Sequence, residues 1–221
     1  MQTPDRFAVI ADIHGNRWAL EAVLEDIARQ HVSTILNLGD DLFGPLDQAG
    51  TSEILSRLHL PSVAGNQDEH SPMPLRLELP GMMLFHGTPA ANDVYLLETV
   101  HSRGVSPATP GEIEARPGPG LLPPLLLCGH THIPRVVTAL NGTLIVNPGS
   151  VGLPAYSDET PFPHVMETGS PHARYAILER HDAGWHVCQQ QIPYAHEDAA
   201  GFALRNGRED WAFCLRNGVV R

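Results

Sequence analysis

The stretch Gly129-His130-Thr131-His132 brings two imidazoles close together, and the chain supplies partners for them elsewhere. Asp12 and His14, Asp40, Asn66 and His86 each stand at or just past the end of a short apolar run. A mixed histidine and aspartate set suits borderline divalent metals (Mn, Fe, Co, Ni or Zn) rather than Ca or a structural Cys-bound Zn. A carboxylate has two oxygens, so one aspartate can bridge two ions. Two ions about 3.5–4 Å apart form the clamp used for in-line displacement at phosphorus, and no side-chain nucleophile is then required. Taken singly, each candidate has a plainer reading. Asp12 reads as a loop or capping aspartate, and any one of the 13 histidines as a surface or satisfied core residue. Only the set carries weight. His31, His59, His70, His101, His164, His172, His181, His186 and His196 belong to no matched motif and read as structural.

The elements that must position these residues can be read in order. Phe7 to Ala11 is an apolar run of the kind that forms a strand buried on both faces. Asn16 can cap a helix from about Arg17, with Leu20, Val23, Leu24, Ile27 and Ala28 on one face and a Glu25–Arg29 pair on another. Strand, loop and helix open a βαβ unit, and Asp12 and His14 fall at the carboxyl end of the strand, where open α/β sheets place their sites. Ser33 to Leu38 predicts the second strand, ending at Gly39-Asp40, where the glycine lets the backbone turn sharply. Asp41 reads as a loop acid whose side chain points away from that of Asp40. A short helix through Ile54, Leu55 and Leu58 is expected to be capped by Thr51 or Ser52. Pro61 to Ala64 is expected as a third strand, delivering Gly65-Asn66.

Further on, Pro80-Gly81 predicts a hairpin between Leu75–Leu79 and Met82–Phe85, with His86-Gly87 at its end. Asn92 to His101 reads as a helix with Val94, Leu97 and Val100 inward, and Gly104 to Pro124 as a surface excursion with one helical turn around Glu112–Ala115. Leu125 to Cys128 is a buried strand leading into the His-Thr-His stretch, with Cys128 a small apolar residue. Asn141-Gly142 predicts a second hairpin between Arg135–Leu140 and Thr143–Val146. The glycines of Asn147-Pro148-Gly149-Ser150-Val151-Gly152 either bring backbone amides to the site or form a plain turn. Ser157 to His172 reads as a loop. A final hairpin is expected around Asp182-Ala183-Gly184, and two short helices broken at Asn206-Gly207.

In this set and order, Asp-Ile-His, Gly-Asp, Gly-Asn, His-Gly and Gly-His-Thr-His, the chain resembles the calcineurin-like metallophosphoesterase superfamily. With the Asn-Pro-Gly-Ser-Val-Gly series and the short length, it is most similar to the compact bacterial and archaeal phosphodiesterase-like subfamily. The resemblance spans residues 5–192 and implies an α/β (α+β) fold, a four-layer α/β/β/α sandwich. It implies a dinuclear-metal phosphoesterase, holding two divalent transition-metal ions and using a bridging hydroxide on phosphodiesters or activated esters. Asp12, His14 and His132 would hold one ion; Asn66, His86 and His130 the other; Asp40 would bridge. Asp40, Asn66 and His130 are the residues assigned to catalysis, with Gln67 and Asp68 behind them. Hydrolysis of dinucleoside polyphosphates or of small monoesters is the alternative activity, and a non-catalytic metal-binding scaffold the alternative of another class.

Two departures from the family pattern bear on substrate. Many members carry Gly-Asn-His-Asp or Gly-Asn-His-Glu, whose histidine is thought to protonate the leaving group, but here the row is Gly65-Asn66-Gln67-Asp68. An amide donates a hydrogen bond but no proton, so substrates with good leaving groups are favoured. Gly39-Asp40-Asp41-Leu42-Phe43-Gly44 also lacks the phosphate-clamping arginine of protein phosphatases.

The 221 residues suit one domain, 1–221, with residues 193–221 as a C-terminal helical extension. A formal charge of −11 without a basic tract argues against extended nucleic acid as a partner. The three cysteines have no paired spacing, the start reads as no signal peptide, and no apolar run approaches membrane-spanning length. The expected setting is the cytoplasm, without a membrane, and the expected partner a small phosphate-containing substrate; a homodimer is the assembly left open.

Overall fold

The computed structural model describes residues 5–68, 71–118 and 120–221. The alternation of side chains along β1 (Arg6–Ile10) explains the architecture. Phe7 and Val9 point into one core with Leu36, Leu38, Leu84, Leu127 and Val146, while Ala8 and Ile10 point into another with Leu20, Val23 and Ile27. A strand buried on both faces must lie between two layers. The first core is therefore the space between two sheets, and the second lies under α1 (Arg17–Arg29). As expected, Asn16 caps α1, its Oδ1 accepting from Ala19 N–H at 3.1 Å. Glu25 and Arg29 meet at 3.3 Å on the exposed face, a contact worth about 0.3–0.5 kcal/mol at most.

In the first sheet β1 is flanked by β2 (Ile35–Asn37), parallel to it, and by β12 (Ala173–His181), antiparallel, with β13 (Gly184–Ile192) at the edge. The second sheet has the order β3-β4-β7-β9-β8. It contains β3 (Arg76–Leu79), β4 (Met82–Phe85), β7 (Leu125–Leu127), β8 (Arg135–Thr138) and β9 (Leu144–Asn147). β4, β7 and β9 run parallel, so their carboxyl ends share one edge. Outside this sheet lie the hairpin of β5 (Glu98–His101) and β6 (Gly104–Pro107) and the short α3 (Pro110–Ala115), packed through Leu96, Leu97, Ala108 and Ile113 against Phe85, Leu126 and Ile145. The layers are those of an α/β/β/α sandwich, the fourth being mostly hairpin. Both turns predicted at Pro80-Gly81 and Asn141-Gly142 form, and so does the hairpin around residues 182–184. The predicted helix pair appears as α4 (His196–Arg205) and α5 (Glu209–Asn217).

Four expectations fail for physical reasons. The helix α2 (Gln48–Leu58) starts a turn before Thr51 and Ser52, because Asp47 is its cap, accepting from Gly50 N–H at 3.0 Å while pairing with Arg17 at 2.8 Å. Pro61 to Ala64 is no strand but a single parallel bridge from Ser62 to Asn37; Pro61 has no N–H to offer a ladder. Residues 92–101 form no helix. The carbonyls of Leu96 and Glu98 accept from the Arg116 guanidinium at 2.9 Å, that of Leu97 accepts from Ala108 N–H, and Glu98–His101 becomes β5. Residues 157–172 are not a loop: β10 (Ala155–Asp158) pairs with β11 (His164–Glu167). His70 lies outside the described residues.

Candidate metal centre

The carboxyl ends of β1, β2, β4 and β7 lead into loops that carry Asp12 and His14, Asp40, His86, and His130 and His132; Asn66 follows the bridge at Ser62. These loops hold each other. His14 N–H donates to Asp40 O, Asp12 N–H to Gly39 O, Gly129 N–H to His86 O and Gly152 N–H to Asp12 O, all within 3.0 Å. Gly39 makes its turn at φ +94. Asp12, His14, Asp40, His130 and His132 themselves have φ between 51° and 70°. Among the described non-glycine residues only His31 and His59 share that region, which costs about 1–3 kcal/mol per residue and gathers at functional sites.

Two groups of three donors result: Asp12, His14 and His132, and Asp40, His86 and His130, each with its atoms within 4.8 Å of one another and all buried. Asp12 Oδ1 lies 3.3 Å from His132 Nε2 and 3.7 Å from His86 Nε2. Asp40 Oδ2 lies 3.3 Å from His86 Nε2 and 4.0 Å from His14 Nε2, so it stands between the groups. Asn66 Oδ1 accepts from His86 Nε2 at 3.1 Å, which brings Asn66 to the second group. Gln67 holds Asp40 through its backbone, its N–H donating to Asp40 Oδ1 at 2.8 Å, while its side chain is exposed. The Asp68 carboxylate accepts from the N–H groups of Asp40, Gly65 and Asp41 at 2.7, 2.9 and 3.3 Å and so fixes the Asp40 turn. Asp41 turns away to Asn37, whose Nδ2 donates to it at 2.8 Å, and burial pushes its carboxyl up to about 7.

Burial resists charge throughout the centre, yet acids and imidazoles compensate. Against the burial effect, His132 and His86 hold Asp12 below the usual carboxylate range, and His86 and His14 do the same for Asp40. Burial would neutralise His86, but Asp40 and Asp12 outweigh it and raise the imidazole to about 9. Burial and the neighbouring His86 drive His130 down to about 3. Burial and His132 likewise lower His14.

The donor set fits cations by three tests. Asp12 Oδ1 is buried without a well-formed hydrogen bond, and its polar neighbours are His132 Nε2 at 3.3 Å and His86 Nε2 at 3.7 Å, a set of donors around one point that a cation would share. His14 Nε2 and His132 Nε2 face each other at 3.2 Å, with the Asp40 and Asp12 carboxylates beside them at 4.0 and 3.3 Å. The Nδ1 atoms of His14, His86 and His132 lie 3.2, 2.7 and 2.6 Å from the carbonyls of Phe43, Leu38 and Leu153. At His14 and His132 such bonds fix the tautomer and turn the Nε2 lone pair inward, as metal-ligating histidines require; His86 carries a proton on Nε2, towards Asn66, which a cation would have to displace.

The segment 147–152 braces this centre from behind. Asn147 Nδ2 donates to Gly129 O at 2.8 Å and to Thr131 Oγ1 at 3.1 Å, and Ser150 Oγ donates to Asp12 O at 2.8 Å. At Gly152 any Cβ would meet Ile13 O at 1.8 Å. The amides of Val151 and Gly152 are taken by the Ala11 and Asp12 carbonyls, so this segment braces the Asp12 loop and neither N–H is free for the donors.

Sequence reasoning missed two groups of neighbours. Tyr95 stacks near His130 with centroids 4.7 Å apart, and its hydroxyl lies 2.7 Å from that of Tyr156 and 3.0 Å from His164 Nε2. Tyr156 also donates to His130 O at 3.0 Å. His164, read from sequence as structural, is therefore two contacts from the centre. Phe43, Arg208 and Trp211 line a cavity of about 430 Å³ above the donors. Chain order gave no hint of either, since the contacts join segments far apart in sequence.

Comparison with known proteins bears on the family and the fold. A family model described as a calcineurin-like phosphoesterase superfamily domain matches residues 6–169. A search of curated proteins gives no match. Among solved structures, a metallophosphoesterase from Sphaerobacter thermophilus is similar with TM-score 0.71 and 26% identity, covering 98% of this chain and 100% of its own. The hypothetical protein PH1004 from Pyrococcus horikoshii OT3 has TM-score 0.65 and 16% identity, over 96% and 98% of the two chains. The phosphoesterase Yfce from E. coli has TM-score 0.51 and 22% identity, over 85% and 100%. With the family model spanning most of the chain and the donor loops lying inside it, the chain belongs to the calcineurin-like phosphoesterase superfamily.

Proposed function

We infer that this protein is a dinuclear-metal phosphoesterase that hydrolyses phosphodiesters or activated phosphate esters. The observation that carries the reading is the pair of adjacent buried donor groups with Asp40 between them. Asp12, His14 and His132 would hold one cation, Asn66, His86 and His130 the other, and Asp40 both. Bound there, such ions would neutralise phosphoryl charge and make water a competent nucleophile near neutral pH. The protein's own part is orientation. The backbone carbonyls aim the imidazoles, Asp68 and the Gln67 N–H fix Asp40, and the mutually bonded loops hold the donors at the floor of the cavity. The exposed Gln67 amide stands at the cavity and can donate a hydrogen bond to a leaving group but no proton. That favours esters whose leaving group departs unprotonated.

The free, largely buried cysteines support action in a reducing compartment, the cytoplasm: Cys128 and Cys214 are buried and Cys188 is exposed. Among the described residues no helix is long and apolar enough to cross a membrane. The test is a panel of monoesters, diesters and dinucleoside polyphosphates assayed with Mn, Co, Ni and Zn in turn. Turnover of aryl diesters that disappears on chelation is expected. Full metal loading without turnover on any ester would overturn the reading in favour of a scaffold.

A further inference from the structure

The cavity above the donors has two unlike sides. One is the donor cluster itself; the other is contributed by the loop after β2, by β10 and by the C-terminal helix α5. Phe43, Trp211, Leu153 and Tyr156 make this second side largely aromatic and apolar. Trp211 meets the His14 ring edge-on at 5.8 Å and the Phe43 ring at 6.4 Å, and Tyr156 lies 4.5 Å from the His132 ring. The aromatic side thus begins where the donors end. Phe43 is 46% exposed, although it sits against a buried donor, and an exposed aromatic facing a polar cluster is a platform without an occupant in the fold itself. Charge decides what kind of occupant fits. Outside the donors the cavity is lined by Arg208 and Arg221 against Asp158 and Asp210, so formal charges cancel. Arg208 is moreover held by Asp210 through two bonds of 2.9 and 2.6 Å. The wall thus carries no net positive charge, and of its two arginines only Arg221 makes no ion pair among the described residues. A neutral planar group would find the exposed Phe43 ring, backed by Trp211, which is itself only 7% exposed with the Arg208 guanidinium over its ring at 5.4 Å, and the Gln67 amide at the rim.

We propose that this cavity is a subsite for a planar aromatic group, and that the substrate is a phosphodiester whose non-reacting arm carries a nucleobase. The proposal rests on the phosphoesterase reading above and narrows its substrate class. It assigns α5, outside the part of the chain matched by the family model, the role of a specificity element.

The test compares two substrates with one leaving group, the p-nitrophenyl esters of thymidine 5′-phosphate and of ethyl phosphate, on the manganese-loaded protein. Binding of thymidine 5′-monophosphate and of ethyl phosphate is measured alongside by calorimetry. The nucleoside arm is expected to raise both kcat/KM and affinity by about 5- to 150-fold, the range of one base–aromatic contact. In Phe43→Ala, which removes an exposed ring and keeps the carbonyl that faces His14, the ratio between the two arms should fall towards one; Trp211→Leu is the second probe. Equal values for both arms in the wild type, or a ratio that survives in both variants, would overturn the proposal. If neither ester is hydrolysed while the affinity ratio stands, the phosphoesterase reading fails and the aromatic subsite does not.

Discussion

Asp40 carries more of the centre than any other side chain, because its carboxylate lies between the two donor groups while its backbone and second oxygen are pinned by Asp68 and Gln67. Asp40→Asn should therefore lower the occupancy of both metal sites, whereas His132→Ala should chiefly empty one. The loss of rate in Asp40→Asn should exceed the roughly 10–100-fold typical of losing a ligand's hydrogen-bond partner; metal analysis of the purified variants checks the occupancies and a diester assay the rate. His86 sets the pH response. In the metal-free protein Asp40 and Asp12 keep it protonated up to about 9. A cation must expel that proton, so affinity should rise with pH through the neutral range and level off above about 9. Metal titrations between pH 6.5 and 8.5, about that range, with proton release read from buffers of different ionisation heat, would show it; an affinity independent of pH would contradict it. At Gln67 the expectation concerns the leaving group. A Brønsted series should be steep for the wild type, and Gln67→His should help poor leaving groups selectively, by up to about 10²–10⁴-fold. A shallow slope unchanged in the variant would show that protonation is supplied elsewhere. The departure at Gln67 was legible because a motif surrounds it, but the Tyr95–Tyr156–His164 network was not, since no local pattern marks residues that meet only after folding.

Elements whose structure is decided locally were the ones the sequence revealed. α1 announces itself by periodicity and a cap, and its Asn16 does more than cap. Its Nδ2 donates to Gly152 O at 2.8 Å and to Tyr194 OH at 3.1 Å, tying the helix start to the brace behind Asp12 and to the segment before α4. Asn16→Ala should lose the cap and leave a buried carbonyl without its donor, costing about 2–3 kcal/mol in urea unfolding. Asn16→Asp keeps an acceptor for Ala19 N–H but offers no donor, and should fall between. Equal stability of all three proteins would deny the tie. The misread elements depend on distant partners. Residues 92–101 carry apolar side chains at helical spacing, yet Arg116 and Ala108 take the carbonyls a helix would have used. In 155–167 the turn residues of the β10–β11 hairpin masked two short strands whose buried positions are Ala155, His164 and Met166.

At the scale of the molecule, two sheets pack face to face and bring the carboxyl ends of their parallel strands to one edge, so donors scattered from residue 12 to residue 132 converge. That convergence was legible, because each strand ends in a polar residue of the right type. The docking of α4 and α5 was not: helix periodicity shows an apolar face but not what it covers. Here Ala199, Ala203, Trp211 and Leu215 pack on Leu46, Leu153 and Ala155, beside the cavity. The central claim is that both donor groups act as one dinuclear catalytic centre. Its most direct test is a titration of metal-stripped protein with Mn, following bound metal and hydrolysis of bis(p-nitrophenyl) phosphate in the same samples. Two equivalents are expected to bind per chain, with turnover growing as the second is occupied. Turnover complete at one equivalent, turnover without metal, or two bound equivalents with no turnover would contradict it.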